Sequence, residues 1–427
     1  MNTSPALAAA MRSRTRFRIL ALISVGTMIN YLDRTVLGIA APSMSSELHI
    51  SPAVMGILFS AFSWSYAAAQ IPGGWLLDRI GTRLTYFLAV TFWSLFTLLQ
   101  GFAGGIASLL AFRLGLGVSE APCFPTNGRV VATWFREHER AQATAVYTVG
   151  EYLGLACFGP LLFWISRRFG WRSLFWAVGT AGIVFAGIWW RLYRDPESCG
   201  PMEKPAGAAP VNWKQVRQLL RYRQVWGASI GQFGGNSTLV FFLTWFPTYL
   251  AKERHMDWMR AGFYAILPFL AAACGVLLGG WGSDTLLKRT GSRNLARKLP
   301  LIAGLFGAST IILANYVNGD ALVIAIFSTA FFFQGMTGLG WTVISDVAPT
   351  EMLGVTGGIF SFAANLAGVA TPIVVGAIIG ATGSFYYALA YVGAAALLGA
   401  LSYVFLLGDV ERIVLDQTYA SPSRLNS

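Results

Sequence analysis

Gly74-Trp75-Leu76-Leu77-Asp78-Arg79-Ile80-Gly81-Thr82-Arg83 stands between two apolar runs, and a weaker copy stands in the second half of the chain. Gly74, Trp75 and Asp78 recur as Gly280, Trp281 and Asp284; Gly81 and Arg83 recur, after a short insertion, as Gly291 and Arg293. The apolar runs ahead of the two copies align without a gap, Gly56 falling on Gly262. An internal repeat carried by apolar runs marks a membrane protein built from two related halves.

Composition leads to the same class. The 427 residues are 55% hydrophobic and only 12% charged, with mean hydropathy +0.57. Soluble domains carry roughly 25% charged residues, so this chain has too little charge to coat a water-facing surface. Its apolar residues fall in runs of about 20, enough to cross a hydrocarbon core of about 30 Å. Such runs must be helical, because hydrocarbon offers no partner to a free backbone group. The 47 glycines suit close helix packing in lipid. The pattern predicts spans at 17–42, 53–77, 82–103, 106–132, 140–166 and 172–193, then 225–251, 258–283, 298–317, 321–347, 352–381 and 384–408. The organisation is a six-helix half at 1–193, a linker at 194–224, and a second six-helix half with a short tail at 225–427.

A net charge of +12 raises nucleic acid as a partner, but the positive residues sit between apolar runs and form no basic face, which argues against it. Arg12, Arg14, Arg16 and Arg18, then Arg79, Arg83, Arg136, Arg140, Lys288, Arg289, Arg293, Arg297 and Lys298, fall on one side. Arg167, Arg168, Arg172, Lys252, Arg254 and Arg260 fall on the other, so both termini are expected in the cytoplasm. The first apolar run carries Asp33-Arg34 and has no clear cleavage site, so it reads as helix 1 and not as a signal peptide. The linker is proline-rich (Pro196, Pro201, Pro205, Pro210) and then amphipathic. Val211, Val216, Leu219 and Leu220 oppose Lys214, Arg217, Arg221 and Arg223, as expected of a connector lying on anionic lipid. Cys123, Cys157, Cys199 and Cys274 have neither metal-ligand spacing nor a disulfide framework. No nucleophile–base pair or cofactor motif is present, which argues against an enzyme and implies no cofactor. The loops and tails are too short for a sensor's signalling domain.

Gly74-x-x-x-Asp78-Arg79-x-Gly81-x-Arg83 resembles the loop 2–3 signature of the major facilitator superfamily. Asn30-Tyr31-Leu32-Asp33-Arg34, Ser60-Ala61-Phe62-Ser63-Trp64-Ser65-Tyr66, Gln70-Ile71-Pro72-Gly73-Gly74-Trp75, Glu120-Ala121-Pro122-Cys123-Phe124-Pro125 and Trp134-Phe135-Arg136-Glu137-His138-Glu139-Arg140 are similar to its anion:cation symporter branch. Phe242-Leu243-Thr244-Trp245-Phe246-Pro247 and Leu407-Gly408-Asp409-Val410 extend the resemblance into the second half, and it covers nearly the whole chain. Within the branch the chain resembles bacterial importers of sugar acids, the galactonate:proton and glucarate symporters. The resemblance implies an all-α major facilitator fold of twelve transmembrane helices in two pseudo-symmetric halves. It also implies a bacterial inner-membrane location and transport of a sugar acid with protons. The chain is expected to act as a monomer.

A charge at the bilayer centre costs about 2.5–3.5 kcal/mol on insertion scales, yet Asp33, Arg34, Arg113, Glu120 and Glu151 lie within apolar runs. His49, His138 and His255 fall in loops, so core proton chemistry is left to carboxylates. Arg113 and Glu120, seven apart, share a face of helix 4. They could lock helices as an ion pair or form a proton site, since burial favours the neutral acid and a nearby arginine favours the carboxylate. Asp33 and Arg34 point about 100° apart and cannot face one partner, whereas Asn30 and Arg34 share a face. The planar fork of Arg34 suits a carboxylate, either that of a cargo or that of a bridging ion pair. The resemblance implies proton uptake at Asp33 and Glu120 with Arg113 interacting, a substrate carboxylate at Arg34, and sugar contacts from Tyr31, Tyr66, Trp341 and Glu151.

Other polar positions within spans are Gln70, which shares a face with Tyr66, and Asn236, Thr342, Ser361 and Asn365. The resembled importers have glutamine where this chain has Glu151, and commonly asparagine where it has Ser361. A third carboxylate here either repels a dianion or carries a further proton. Asp78, Arg79, Arg83 and Asp284 are expected to gate, through a carboxylate that latches one state, or else the motif only closes a turn through Gly74 and Gly81. Gly154, Gly159 and Pro160 partly match an antiporter signature, but Leu161-Leu162 replaces its trailing glycines and the run reads as packing. An antiporter or a sodium-coupled organic-anion carrier is the alternative reading.

Overall fold

The computed structural model describes residues 5–195, 213–349 and 352–413. The linker residues Pro196, Cys199, Pro201, Pro205, Gly207, Pro210 and Val211 and the tail beyond Ile413 lie outside them, as do the side chains of Arg12, Arg14, His138 and Lys214. The first half comprises α1 (Pro5–Glu47), α2 (Pro52–Ile80), α3 (Thr82–Gln100), α4 (Ile106–Glu120), α5 (Cys123–Trp134), α6 (Glu137–Phe169) and α7 (Trp171–Leu192). A short α8 (Trp213–Leu219) leads into α9 (Arg223–Thr244), α10 (Phe246–Thr248), α11 (Trp258–Thr290), α12 (Arg293–Ser309), α13 (Asp320–Gly335), α14 (Gly340–Val347), α15 (Leu353–Thr382) and α16 (Tyr386–Leu401). No strand occurs among the described residues.

Eleven helical stretches are long and apolar enough to cross a membrane, the α4–α5 and α13–α14 pairs each counting once. The remaining expected span, 225–251, folds as α9, α10 and a π turn at Tyr249–Glu253. Its Gln232, Asn236, Ser237 and Thr238 lower its hydropathy, and of these Asn236 bonds the Ala364 carbonyl of α15. Large apolar side chains such as Val184, Phe263, Leu398 and Phe405 stand more than half exposed on the outside, as a lipid-facing surface requires.

Two expected single helices are broken in related places. Pro122 cannot continue the ladder of α4, so the helix stops at Glu120 and restarts at Cys123. A 3₁₀ turn at Met336–Leu339 interrupts the corresponding run of the second half. The repeated motif is also explained. Gly81 and Gly291 end α2 and α11 with φ of 81° and 66°, a conformation that disfavours other residues. Gly74, expected to help close that turn, instead lies within α2 with open space where a Cβ would stand. Asp78 and Asp284, read from sequence as loop residues, lie within these helices, Asp78 in the last turn of α2 and Asp284 nearly two turns before the end of α11. In α8, Val216 and Leu219 are buried in a cluster with Leu301, Val343 and Leu407, so this apolar face docks on the second half and does not lie on lipid.

The halves meet along α2–α15, α6–α11 and α1 against α9 and α10. Contact is tightest away from the motif loops. A Cβ at Gly56 would come within 2.4 Å of the Pro372 carbonyl oxygen, so glycine is required for this approach. Phe59 meets Trp245 edge to face at 5.2 Å, and Arg167 pairs with Asp257 at 2.9 Å, both across the halves. On the motif side, every described ion pair joins residues of one half: Arg16–Glu139, Arg129–Asp78, Arg297–Asp284 and Arg297–Asp346.

Candidate functional site

Between the halves lies a cavity of about 100 Å³ of water-accessible space, lined by Tyr31, Arg34, Phe62, Tyr66 and Arg113 from one half and Asn236 and Asn365 from the other, among other residues. A single water needs about 10–15 Å³ on this measure, so several fit. Arg34 reaches it from the middle of α1. Its Nε donates to Glu120 Oε1 at 2.6 Å, and its Nη2 lies 2.5 Å from the same oxygen. Its guanidinium carbon lies 4.9, 4.8, 5.1 and 5.9 Å from the ring centres of Tyr31, Phe62, Tyr66 and Phe124. These π faces attract a cation and hold the planar fork in one orientation. The Arg34 side chain keeps 16% exposure while Glu120 keeps none, so the arginine is the accessible partner.

The pairing expected within helix 4 is not the one found. Glu120 sits at the end of α4, just ahead of the Pro122 break, and bonds Arg34 across to α1. Arg113 is buried with its Cζ 5.4 Å from the Phe62 ring, and its Nε and Nη1 have no hydrogen-bond partner. Asp33 points away from Arg34, as the helix turn demands, and is 1% exposed beside Thr97 and Trp93 of α3 and Glu120 and Arg113 of α4. Asn30 is fully buried next to Glu120. Glu151, from α6, is buried against Tyr31 and near Arg34.

In the second half, Asn236 Nδ2 donates to the Ala364 carbonyl at 2.6 Å, tying α9 to α15. Asn365 Nδ2 donates to the Ser361 carbonyl at 3.0 Å. Ser361 and Trp341 are not among the residues lining the cavity; Trp341 is half exposed and packs edge to face on Phe360 at 5.0 Å. Gln70 faces the Tyr66 hydroxyl. Phe62 and Phe124 escaped the sequence reading, although Phe62 precedes Tyr66 by one helical turn and stacks on it at 5.3 Å.

Of the gating residues, Asp78 is bound by Arg129 of α5, which also donates to the Leu77 carbonyl at 2.9 Å. Arg129 was not foreseen; its only signal was a cation near the end of an apolar run. Arg79 lies over Trp75 at 5.1 Å and Arg83 over Trp190 at 4.2 Å, with Arg83 also donating to the Trp190 carbonyl. Asp284 lies 3.8 Å from Arg297, which Asp346 holds at 3.1 Å. Among the described residues no cluster of His, Cys, Asp or Glu is arranged to hold a metal ion.

Two helical halves around a central cavity, with charged side chains buried beside it, are the architecture of a multi-pass membrane transporter. Residues 23–372 match the Major Facilitator Superfamily model, and the chain belongs to that family. It is 43% identical to the D-galactonate transporter of Escherichia coli O6:H1 over 425 residues, covering 95% of this chain and 98% of the relative. It is 40% identical to a probable galactarate/D-glucarate transporter of Escherichia coli K12 over 431 residues, covering 95% and 96%. A hexuronate transporter of Bacillus subtilis is 32% identical over 401 residues, covering 92% and 95%. The fold also matches the crystal structure of a bacterial homolog of the human lysosomal transporter Spinster, with a TM-score of 0.71, 22% identity, and coverage of 95% and 96%.

Proposed function

We propose that the protein imports a sugar acid, a hexonate or hexarate, together with protons by alternating access. The observation that carries this reading is Arg34, presented to the cavity yet neutralised by the fully buried Glu120 at 2.6 Å. An incoming carboxylate and Glu120 compete for one guanidinium. Protonation of Glu120 removes its charge and leaves the fork free for the anion, so proton and substrate load together. Asp33, facing both Glu120 and Arg113, is the second proton site. Asn236 and Asn365 supply amides for hydroxyl groups from the opposite wall, and Tyr31, Tyr66 and Glu151 are assigned to the substrate side of the site; Trp341 and Ser361, which do not line the cavity in this state, are assigned there on the sequence reading alone. Asp78, Arg79, Arg83 and Asp284 act in gating on the motif side.

Names of relatives at 43% and 40% identity support the substrate class. Anion entry into a negative-inside cell is uphill by about 2.3 kcal/mol per charge per 100 mV, so coupling to at least one proton per charge is required for accumulation without another ion. The reading places the protein in a bacterial inner membrane as a monomer with both termini cytoplasmic. Residues 1–193 and 225–427 form the two moving halves, joined by the linker 194–224. Proteoliposomes with an imposed pH gradient and a panel of hexonates, hexarates and hexuronates test it. Uptake of one class driven by an acidic exterior is expected; uptake indifferent to the gradient sinks proton coupling and favours sodium coupling or antiport.

A further inference from the structure

Threonines in these helices generally satisfy their hydroxyls on the carbonyl four residues back, as Thr27, Thr35, Thr85, Thr91 and Thr126 do. Thr97 does not. Its hydroxyl turns to the Asp33 carboxylate instead, as does the indole N–H of Trp93. Trp93, Thr97 and Gln100 recur at helical spacing on one face of α3, all with zero exposure. None of Trp93 Nε1, Thr97 Oγ1, Gln100 Oε1 and the two Asp33 oxygens closes a hydrogen bond within normal geometry, and of these only the Gln100 carbonyl has no group of the cluster facing it. An unpaired polar group in an apolar interior costs several kcal/mol, and two donors facing one carboxylate still leave lone pairs of Asp33 and the Gln100 carbonyl without a partner. Groups of this kind are ordinarily partnered by buried water. The file runs from Asp33 to the last residue of α3, about 10 Å from Trp93 to Gln100 at 1.5 Å per residue. There the chain turns and Phe102 is 65% exposed. That end lies on the face where the two halves are closed together, and Asp33 is not among the residues lining the central cavity.

We propose that Asp33 receives its proton along this file, through Thr97 and Gln100, from the membrane face at which α3 ends, by a route separate from the cavity that takes the solute. The proposal rests on the proton-coupled reading above. The proton enters from bulk water, passes along water held by the Gln100 carbonyl and the Thr97 hydroxyl, and bonds to an Asp33 carboxylate oxygen. Thr97 and Gln100 stay neutral and act as positioning residues. Trp93, a donor only, cannot relay. Glu120, which faces Asp33 and holds Arg34, is the carboxylate through which the charge change is felt at the cavity.

The test uses the full-length protein in lipid with Thr97→Val and Gln100→Leu. The infrared carboxyl band of Asp33, assigned by its loss in Asp33→Asn, is followed as it exchanges in D₂O. Both variants should slow this exchange by about tenfold or more, and Thr97→Ser should restore it. In the same vesicles, D-galactonate uptake driven by a pH gradient should slow in proportion, while D-galactonate counterflow at equal pH stays within about twofold. Carboxyl exchange at the wild-type rate in both variants overturns the route, as does an equal loss of counterflow and driven uptake. Wild-type uptake that ignores the gradient overturns proton coupling instead, and the infrared measurement still judges the route.

Discussion

Arg34 is the side chain on which the site turns, and its chemistry makes the sharpest predictions. A lysine keeps the charge but loses the planar fork and its packing among four rings. Arg34→Lys should therefore weaken substrate binding by about 10–100-fold, the effect of losing one charge-assisted hydrogen bond; unchanged affinity by equilibrium binding removes Arg34 from the site. Glu120→Gln keeps a hydrogen-bonding side chain next to Arg34 but cannot titrate. It should abolish gradient-driven accumulation while counterflow exchange survives, and full accumulation refutes a proton role. Glu151→Gln should shift substrate preference or the number of protons moved, measured as uptake across the acid panel and as charge per substrate. The residues themselves were legible: five charges in apolar runs, and Asn30 sharing a face with Arg34. The partnership was not. Helical spacing puts Arg113 and Glu120 on one face, but the rotation of α1 against α4 decides which guanidinium meets the carboxylate, and no periodicity within one helix encodes it.

Among the elements, boundaries were legible wherever apolarity alone set them and failed where a helix does more than cross lipid. The expected span 225–251 was legible as apolar, but its division into α9, α10 and a π turn was not, nor was the bond by which Asn236 ties α9 to α15 beside the cavity. The breaks after Glu120 and at Met336–Leu339 needed proline and 3₁₀ geometry, which an apolar window does not register. The motif glycines separate in the same way. Gly81 is required by its φ of 81°, so Gly81→Val should cost about 1–3 kcal/mol and lower the melting temperature in detergent. A Cβ at Gly74 would meet nothing in this state, yet the residue lies on the face where the halves stand apart. Gly74→Leu should leave the melting temperature unchanged while slowing transport, because the bulk is felt only when that face closes. Normal transport by this variant would show that the motif face never packs at Gly74.

Across the whole molecule, alternating access requires that the closed face can reopen, so its energy cannot be large. Two kinds of contact hold it: close backbone approach at Gly56–Pro372 with the Phe59–Trp245 ring pair, and the Arg167–Asp257 ion pair. Both partners of the ion pair are about half exposed, and such pairs contribute about 0–1 kcal/mol. Arg167→Ala should then shift the balance between the two states by no more than about fivefold. Gly56→Leu acts differently, because a side chain cannot occupy a space that a carbonyl oxygen already fills at 2.4 Å. It should hold the halves apart on that face and strongly favour the opposite state. A cysteine placed at Ser63, which lines the cavity, reports the balance through its labelling by an impermeant maleimide from each side of a sealed membrane. Gly56→Leu should move labelling to the face that is closed here, with Arg167→Ala causing only a small change. If Arg167→Ala shifts labelling as far as Gly56→Leu does, electrostatics and not backbone packing closes the gate.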